Sequence, residues 1–172
     1  MVTGHDADGR PTIVEDGPLP RFVERRAIPG MADGVVWATG GESEGDAVVS
    51  VVPGPGETRF LTVTLPPAAV FESAQFDPIA AAAEDADVIP GLAELFDPDD
   101  PGMHATPTVD YVVVLAGEVH LVMEGGEETV VRQGDIVIQN GTRHAWRNMS
   151  ERPATLATVM IGHSGAPPEA GS

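Results

Sequence analysis

The sequence contains no cysteine. Disulfide frameworks, thiolate zinc sites and cysteine nucleophiles are therefore excluded. It also lacks an apolar run long enough to span a membrane, and the first ten residues, MVTGHDADGR, are too polar for a signal peptide. Together these absences favour a cytoplasmic protein.

Basic residues are scarce as well. Nine Lys and Arg residues stand against 27 Asp and Glu residues, which gives a formal net charge of -18. A field of this sign repels phosphate backbones and anionic lipid surfaces, so we expect neither nucleic acid nor membrane as a partner. Solubility is the simplest role for the excess acid.

What is present suits one domain built from short elements. The 172 residues are 42% hydrophobic and 21% charged, which is close to the globular average. The 20 glycines and 16 prolines favour many turns over a few long helices.

The second half of the chain alternates short β-type runs with turn residues. Such spacing predicts an all-β sandwich or small barrel. The expected strands cover residues 110–115, 119–123, 129–132, 136–139, 144–148 and 154–161, and earlier β-type runs cover 35–37, 48–52 and 59–65.

The chain is expected to divide into three parts. Residues 1–47 would form a hairpin around the turn at 6–9 and an extended arm, 48–162 would form the barrel, and 163–172 would be a disordered tail. An alanine-rich helical insertion is expected at about 77–97, either as a lid over one mouth of the barrel or packed outside it.

Three residues, His104, Asp110 and His144, suggest a metal site. His104 is expected to open the strand that contains Asp110, and the even spacing then places His104, Thr106 and Asp110 on one face, while His144 begins another strand. Two imidazoles and one carboxylate can hold Fe, Mn, Co, Ni or Zn and leave other coordination positions open.

Three further side chains are candidate substrate contacts. Thr106 could orient a water molecule or a substrate oxygen in the open site. Arg59 starts a strand and could bind a substrate carboxylate, or could form a surface salt bridge. Trp146 shares a face with His144 in a regular strand, as a wall of the pocket or as part of the core.

Residues 104–148 resemble the two motifs of the cupin superfamily. The first motif matches His104-Ala-Thr106, Asp110 and, after six residues, Gly117, and the second matches GDIVIQNGTRHAWRN at 134–148. The resemblance implies an antiparallel cupin β-barrel of the jelly-roll type, with His104, Asp110 and His144 in three of the four usual ligand positions. Thr106 replaces the second His and Asp110 replaces Glu, a pattern similar to a bacterial cupin subfamily of largely unassigned function.

Three functions follow as hypotheses. The first is a metal-dependent enzyme (Fe, Zn, Mn or Ni) that acts on a small organic substrate by oxygenase or isomerase/dehydratase chemistry. The second is a metal-free cyclase or dehydratase in which Asp110 and His144 are the acid/base pair and His104 is an electrophilic partner. The third is a non-catalytic module that binds a small molecule.

A homodimer is also implied by the resemblance. The N-terminal hairpin is the candidate exchanged element, because an exposed β-edge favours pairing with another chain.

Overall fold

The computed structural model describes residues 1–19, 21–40 and 50–165. Within these ranges the chain forms one α-helix and a series of short strands. They are β1 (Val2–His5), β2 (Pro11–Glu15), β3 (Arg21–Glu24), β4 (Ala32–Thr39), β5 (Thr58–Leu65), α1 (Pro78–Val88), β6 (Thr108–Ala116), β7 (Glu118–Met123), β8 (Glu128–Arg132), β9 (Ile136–Asn140), β10 (His144–Arg147) and β11 (Ala154–Gly162). Two 3₁₀ turns, Ala68–Val70 and Ala93–Leu95, flank the helix.

The strands form two sheets around one core. The larger sheet has the order β3-β4-β5-β11-β6-β9, and the smaller has the order β10-β7-β8. Every pairing within them is antiparallel, which confirms the predicted antiparallel β architecture. Between the sheets lies a hydrophobic cluster of Val112, Val114, Val119, Leu121, Val131, Ala154 and Leu156.

Strand β6 shows how the pattern of the sequence builds this core. Thr108, Asp110, Val112 and Val114 are all buried, whereas Tyr111 between them is 48% exposed. Successive side chains of a strand point to opposite faces, so the even positions of β6 face the interior. The interior is therefore apolar at the carboxyl end of β6 and polar at its beginning.

The first two strands form a separate hairpin. β1 and β2 pair only with each other, around a turn in which the Asp6 carboxylate accepts hydrogen bonds from the backbone N–H groups of Asp8 and Arg10. Gly9 has a φ of 78°, a value that glycine adopts without strain. All five residues of β2 are exposed.

Helix α1 lies in the insertion between β5 and β6. Asp77 caps it by accepting from the N–H groups of Ile79 and Ala80, and Pro78 occupies the first turn. The helix ends before Pro90 and Gly91, where the φ of Gly91 is 85°. The predicted helical insertion is thus present, with the α-helix limited to 11 residues.

A buried arginine anchors this insertion to the larger sheet. The Arg25 side chain has 0% exposure, and it donates to Asp33 of β4 at 2.6 Å and to Asp85 of α1 at 3.0 Å. Next to it, the Glu84 carboxylate accepts from the backbone N–H groups of Arg26 and Ala27. One end of α1 is therefore bound to the chain that precedes β4.

Some local expectations need correction. The strand expected at 48–52 is absent from residues 50–52, the part of that range that the structure describes. Val51 and Val52 lie in a bend, and the buried Val51 donates its N–H to the carbonyl of Pro90. Residues 48 and 49 lie outside the described ranges, as do 166–172 of the expected tail. Strand β3 was not expected, because its four residues, RFVE, include two charged side chains.

In the part of the chain that the structure describes, no helix is both long and apolar enough to cross a bilayer.

The anchoring arginine gives a stability prediction. Arg25→Met keeps much of the side-chain length but leaves two largely buried carboxylates without their cation, so we expect a loss of about 3 kcal/mol in the free energy of unfolding. Arg10→Met is the matched control. Arg10 also pairs with an aspartate but its side chain is 75% exposed, so the change should stay within about 0.5 kcal/mol. Urea unfolding measures both, and an Arg25→Met variant as stable as the parent would contradict the anchoring role.

Candidate functional site

Two histidines meet where the insertion rejoins the barrel. His144 begins β10, and His104 forms an isolated antiparallel bridge with it, in which each residue donates its backbone N–H to the other's carbonyl at 2.9 Å. The expectation that His104 opens the strand of Asp110 is therefore wrong. β6 begins only at Thr108, because Pro107 has no N–H to donate to a sheet.

Hydrogen bonds to backbone carbonyls fix both imidazole rings. Nδ1 of His104 lies 2.9 Å from the carbonyl oxygen of Gly102, and Nδ1 of His144 lies 2.8 Å from that of Thr142. A carbonyl oxygen can only accept, so each Nδ1 carries the proton in the neutral ring. Each Nε2 therefore keeps a lone pair, available to a metal ion or to a substrate proton.

Burial also keeps both rings uncharged. Desolvation lowers the pKa of His144 from 6.5 to about 4, against the opposing effect of its bond to Thr142 and with a further decrease from His104. The pKa of His104 is lowered too, chiefly by burial. Both imidazoles are therefore neutral at physiological pH.

The pair lies within a row of four rings. The centroids of Phe96 and His104 are 5.4 Å apart, those of the two histidines 4.7 Å, and those of His144 and Trp146 5.9 Å. The outer contacts are edge-on, an arrangement that aromatic rings favour. Trp146 thus packs against His144 on the face that the sequence predicts.

Asp110 has a different environment on β6. The side chain is buried, and its Oδ1 has no hydrogen-bond partner among the described residues. Desolvation raises its pKa from 3.8 to about 6, and a hydrogen bond with Thr108 lowers it in part. Thr106 lies 2.7 Å from Thr108, oxygen to oxygen, so three polar side chains form a buried chain that ends at a carboxyl group.

The structure brings the two histidines together but does not complete a three-ligand group. Across residues 1–19, 21–40 and 50–165, no three His, Asp or Glu side chains converge closely enough to share a metal ion. The histidine pair itself fits such an ion. Its two neutral rings, with centroids 4.7 Å apart, each keep an Nε2 lone pair, which is a nitrogen donor that divalent transition metals bind. Whether Asp110 joins them stays a prediction.

Arg59 is not placed to bind a substrate. Its side chain is buried near the start of β5. There its three nitrogens donate to the carbonyls of Ser50, Thr39 and Thr58 and to the Glu57 carboxylate. No guanidinium fork is left for a substrate carboxylate. Its hydrogen bonds connect Thr39 of β4 with Ser50, which precedes β5. The alternative expectation, a salt bridge at the surface, is also wrong, because the Arg59 side chain that pairs with Glu57 is buried.

Two arginines fasten the loop before His104 to strand β10. Arg143 forms ion pairs with Asp97 and Glu124, and Arg147 contacts Asp100 and the carbonyl of Pro101. Because these arginines flank His144 in the sequence, the ion pairs hold the carboxyl end of the insertion beside the histidine pair. Phe96 reaches His104 from this same segment.

Three residues of the site were not identified from the sequence. Thr108 could have been found, since it shares the inner face of β6 with Asp110. Gln139 is buried and directly opposite Asp110 on β9, and its side-chain oxygen accepts from Thr142. Phe96 had no sequence signal, because its contact with His104 depends on how the insertion folds back. Two surface hollows, of about 540 and 460 Å³, lie elsewhere and are lined by neither histidine.

Comparisons with known proteins agree with this architecture. The family model described as "Cupin domain" matches residues 95–161. The "Cupin-domain-containing oxidoreductase srdB" of Neurospora crassa is 31% identical over an alignment of 163 residues, which covers 84% of this chain and 80% of that protein.

Other likenesses are partial or distant. "Phomopsin biosynthesis cluster protein C'" of Diaporthe leptostromiformis is 50% identical over 48 residues, which cover 28% of this chain and only 25% of that relative. A Cupin 2 conserved barrel domain protein from Salinispora arenicola has a TM-score of 0.46 at 13% identity, with 87% of this chain and 90% of that chain covered.

The raised pKa of Asp110 gives a prediction for stability against pH. Between about pH 4 and 6 the folded state keeps the Asp110 proton while the unfolded chain loses it, so this residue lowers stability as pH rises through that window. Asp110→Asn is expected to match the parent near pH 4 and to exceed its free energy of unfolding by about 3 kcal/mol at pH 7.

Urea unfolding of the metal-free proteins from pH 4 to 7 measures this difference. Asp87→Asn, at an exposed carboxylate in α1, is the control and should show no such pH-dependent gain. A difference between Asp110→Asn and the parent that does not change with pH would contradict the assignment.

Proposed function

Since the chain belongs to the cupin family, we propose that it is an enzyme that transforms a small organic molecule beside the His104–His144 pair. One observation carries the proposal. Two buried, neutral imidazoles are held 4.7 Å apart, and their Nδ1 protons are directed to backbone carbonyls, so both Nε2 atoms are left for chemistry. A structural histidine needs no such matched pair.

We further propose that the pair holds a divalent ion of iron, zinc, manganese or nickel. The donor set supports this, because a histidine that binds a metal through one ring nitrogen usually donates a hydrogen bond from the N–H of the other to a fixed acceptor. Both rings donate such a bond here. Water or substrate would complete the coordination. Such an ion supplies Lewis-acid chemistry and, if it is iron, redox chemistry as well.

Oxidation or reduction is the reaction class that the relatives support. The relative that aligns with 84% of this chain is named an oxidoreductase. Two partial relatives are named for the biosynthesis of phomopsin and of oryzines, which supports a biosynthetic intermediate as the substrate. Isomerase or dehydratase chemistry is the second reaction class that this site would accommodate.

The other residues of the site would have separate tasks. Phe96 and Trp146 flank the pair and would exclude water from one side of the substrate. Asp110, with a pKa of about 6, would hold or release a proton near neutral pH, and Thr108 would orient its carboxyl group. In this arrangement Asp110 is better suited to proton transfer than to completing a three-residue ligand set.

A metal-free cyclase or dehydratase is the second candidate function. The observation that favours it is the reversed order of two pKa values, since that of Asp110 is raised to about 6 and that of His144 is lowered to about 4. Two groups with pKa values shifted in this way can act as acid and base in one cavity, with Asp110 as the acid and His144 as the base. His104 would then polarise the substrate.

Metal content distinguishes these candidates. Protein purified without an affinity tag should contain about one equivalent of a divalent metal by elemental analysis. His104→Gln and His144→Gln should each lose it, because each removes one of two imidazole ligands. His120→Gln is the matched control. His120 lies on β7, where it bonds Glu128 instead of another histidine, and its removal should leave the metal in place.

The opposite result is equally specific. If the parent binds none of the four metals after reconstitution, or if the two variants keep the metal, the histidine pair is not its site. The acid/base mechanism would then take precedence, with Asp110→Asn as the variant that abolishes turnover.

A further inference from the structure

The histidine pair is shielded from solvent. His144 is only 3% exposed, and neither ring lines either of the two surface hollows. A substrate has to come within hydrogen-bond distance of an imidazole before that ring can act on it. Some part of the chain must therefore move to admit it. That part should cover the pair and should be held less firmly than the two sheets.

Residues 92–101, which we call the strap, meet both conditions. Phe96 of the strap lies edge-on against His104. None of the ten residues is buried. The N–H groups of residues 95–97 donate to carbonyls between 92 and 103, and those of 92 and 93 donate to Ile89 just before the strap. A segment with local hydrogen bonds and little buried surface opens at a low cost in free energy.

Glycines with positive φ stand at both ends of the strap. The φ angle is 85° at Gly91 and 84° at Gly102. Glycine can leave this conformation for most others at little cost, so the chain can turn at these two points. Beyond them the chain is fixed. On one side Pro90 accepts the N–H of Val51, and on the other side His104 is paired with the start of β10.

Two ion pairs, which we call the latch, hold the strap beside β10. Asp97 pairs with Arg143, and Asp100 pairs with Arg147. These four side chains are 25% to 53% exposed, whereas the Arg25 side chain that anchors α1 has 0% exposure. Ion pairs in contact with water contribute little stability, and salt weakens them. The strap is therefore held less firmly than the helix that precedes it.

We propose that the strap is the gate through which a substrate reaches the histidine pair, and that the latch keeps this gate closed. When the latch opens, the strap turns about its two flanking glycines and removes the Phe96 ring from His104. Helix α1 and the two sheets keep their places. The gate rests on the proposed function only in that a substrate must reach the pair, and it requires no metal ion.

Amide hydrogen exchange, followed by NMR in metal-free protein, measures the opening. The N–H of Met103 bonds to the carbonyl of Asp100 across Gly102, so turning at this glycine releases it. The N–H of Val112 in the middle of β6 is the reference, because the sheet does not open with the strap. Raising the salt concentration from about 0.05 to about 1 M screens the latch. Exchange at Met103 should then rise several-fold, and exchange at Val112 should not follow it.

A double variant, Asp97→Asn with Asp100→Asn, removes the charge of the latch and keeps the size of both side chains. Exchange at Met103 should become roughly tenfold faster, because two partly exposed ion pairs are lost, and it should lose most of its dependence on salt. Glu118→Gln is the matched control. It neutralises a carboxylate that pairs with Arg132 outside the strap, so exchange at Met103 should stay at the parent rate. Circular dichroism and thermal unfolding verify that each variant is folded.

Chemical modification tests whether the strap covers the pair. Diethyl pyrocarbonate acylates an unprotonated imidazole nitrogen, and the masses of the proteolytic peptides report each histidine separately. The exposed His5 is the internal reference. In the double variant the rate at His144, relative to that at His5, should rise by the same factor as exchange at Met103.

Two results would overturn the gate. One is exchange at Met103 that is no faster in the double variant than in Glu118→Gln. The other is faster exchange without faster acylation of His144, because the strap would then move without uncovering the pair. Neither measurement uses a metal ion or turnover. A protein that binds no metal would contradict the proposed metal site and would leave the gate unaffected.

Discussion

The hydrogen bonds from two imidazole Nδ1 atoms to the backbone carbonyls of Gly102 and Thr142 determine what this site can do. Each carbonyl belongs to the residue two positions before its histidine, so a local turn fixes both the ring and its tautomer. The reciprocal backbone bridge between His104 and His144 then sets the distance between the rings. Burial removes the charge from both. Two Nε2 lone pairs are thereby held ready without any reorganisation, which is what metal binding or proton abstraction requires.

Much of the rest of the fold serves to hold these two turns together. His144 lies at an end of the smaller sheet, whereas His104 ends the insertion that begins after β5. Arg25 fixes one end of the insertion through Asp85, and Arg143 and Arg147 fix the other through Asp97 and Asp100. Ionic contacts are suited to this task because they specify the position of a helix that buries little apolar surface. Only Ala81 is buried in α1.

Local signals in the sequence were enough to predict most of the strands and the superfamily. The period-two pattern of β6, the turns between strands and the stretch GDIVIQNGTRHAWRN each depend on neighbouring residues, so they can be interpreted before the fold is known. The contact of Trp146 with His144 follows from the same periodicity. The predictions that failed depended on contacts with residues outside the local sequence pattern. Pro107 separates His104 from β6, Val51 donates to Pro90 instead of a neighbouring strand, and the donors of Arg59 are taken up by residues 39, 50, 57 and 58.

The chemistry of the site depends on one state of its two rings, in which His104 and His144 are neutral, protonated on Nδ1 and free at Nε2. Nitrogen-15 NMR of the imidazole rings in metal-free protein tests it most directly, with His104→Gln and His144→Gln to assign the signals. Both rings are expected to show a protonated Nδ1 and an unprotonated Nε2 between pH 7 and 8, and each ring is expected to titrate below the pKa of about 6.5 of an ordinary histidine. A proton on Nε2 in either ring, or protonation of either ring near pH 6.5, would contradict it.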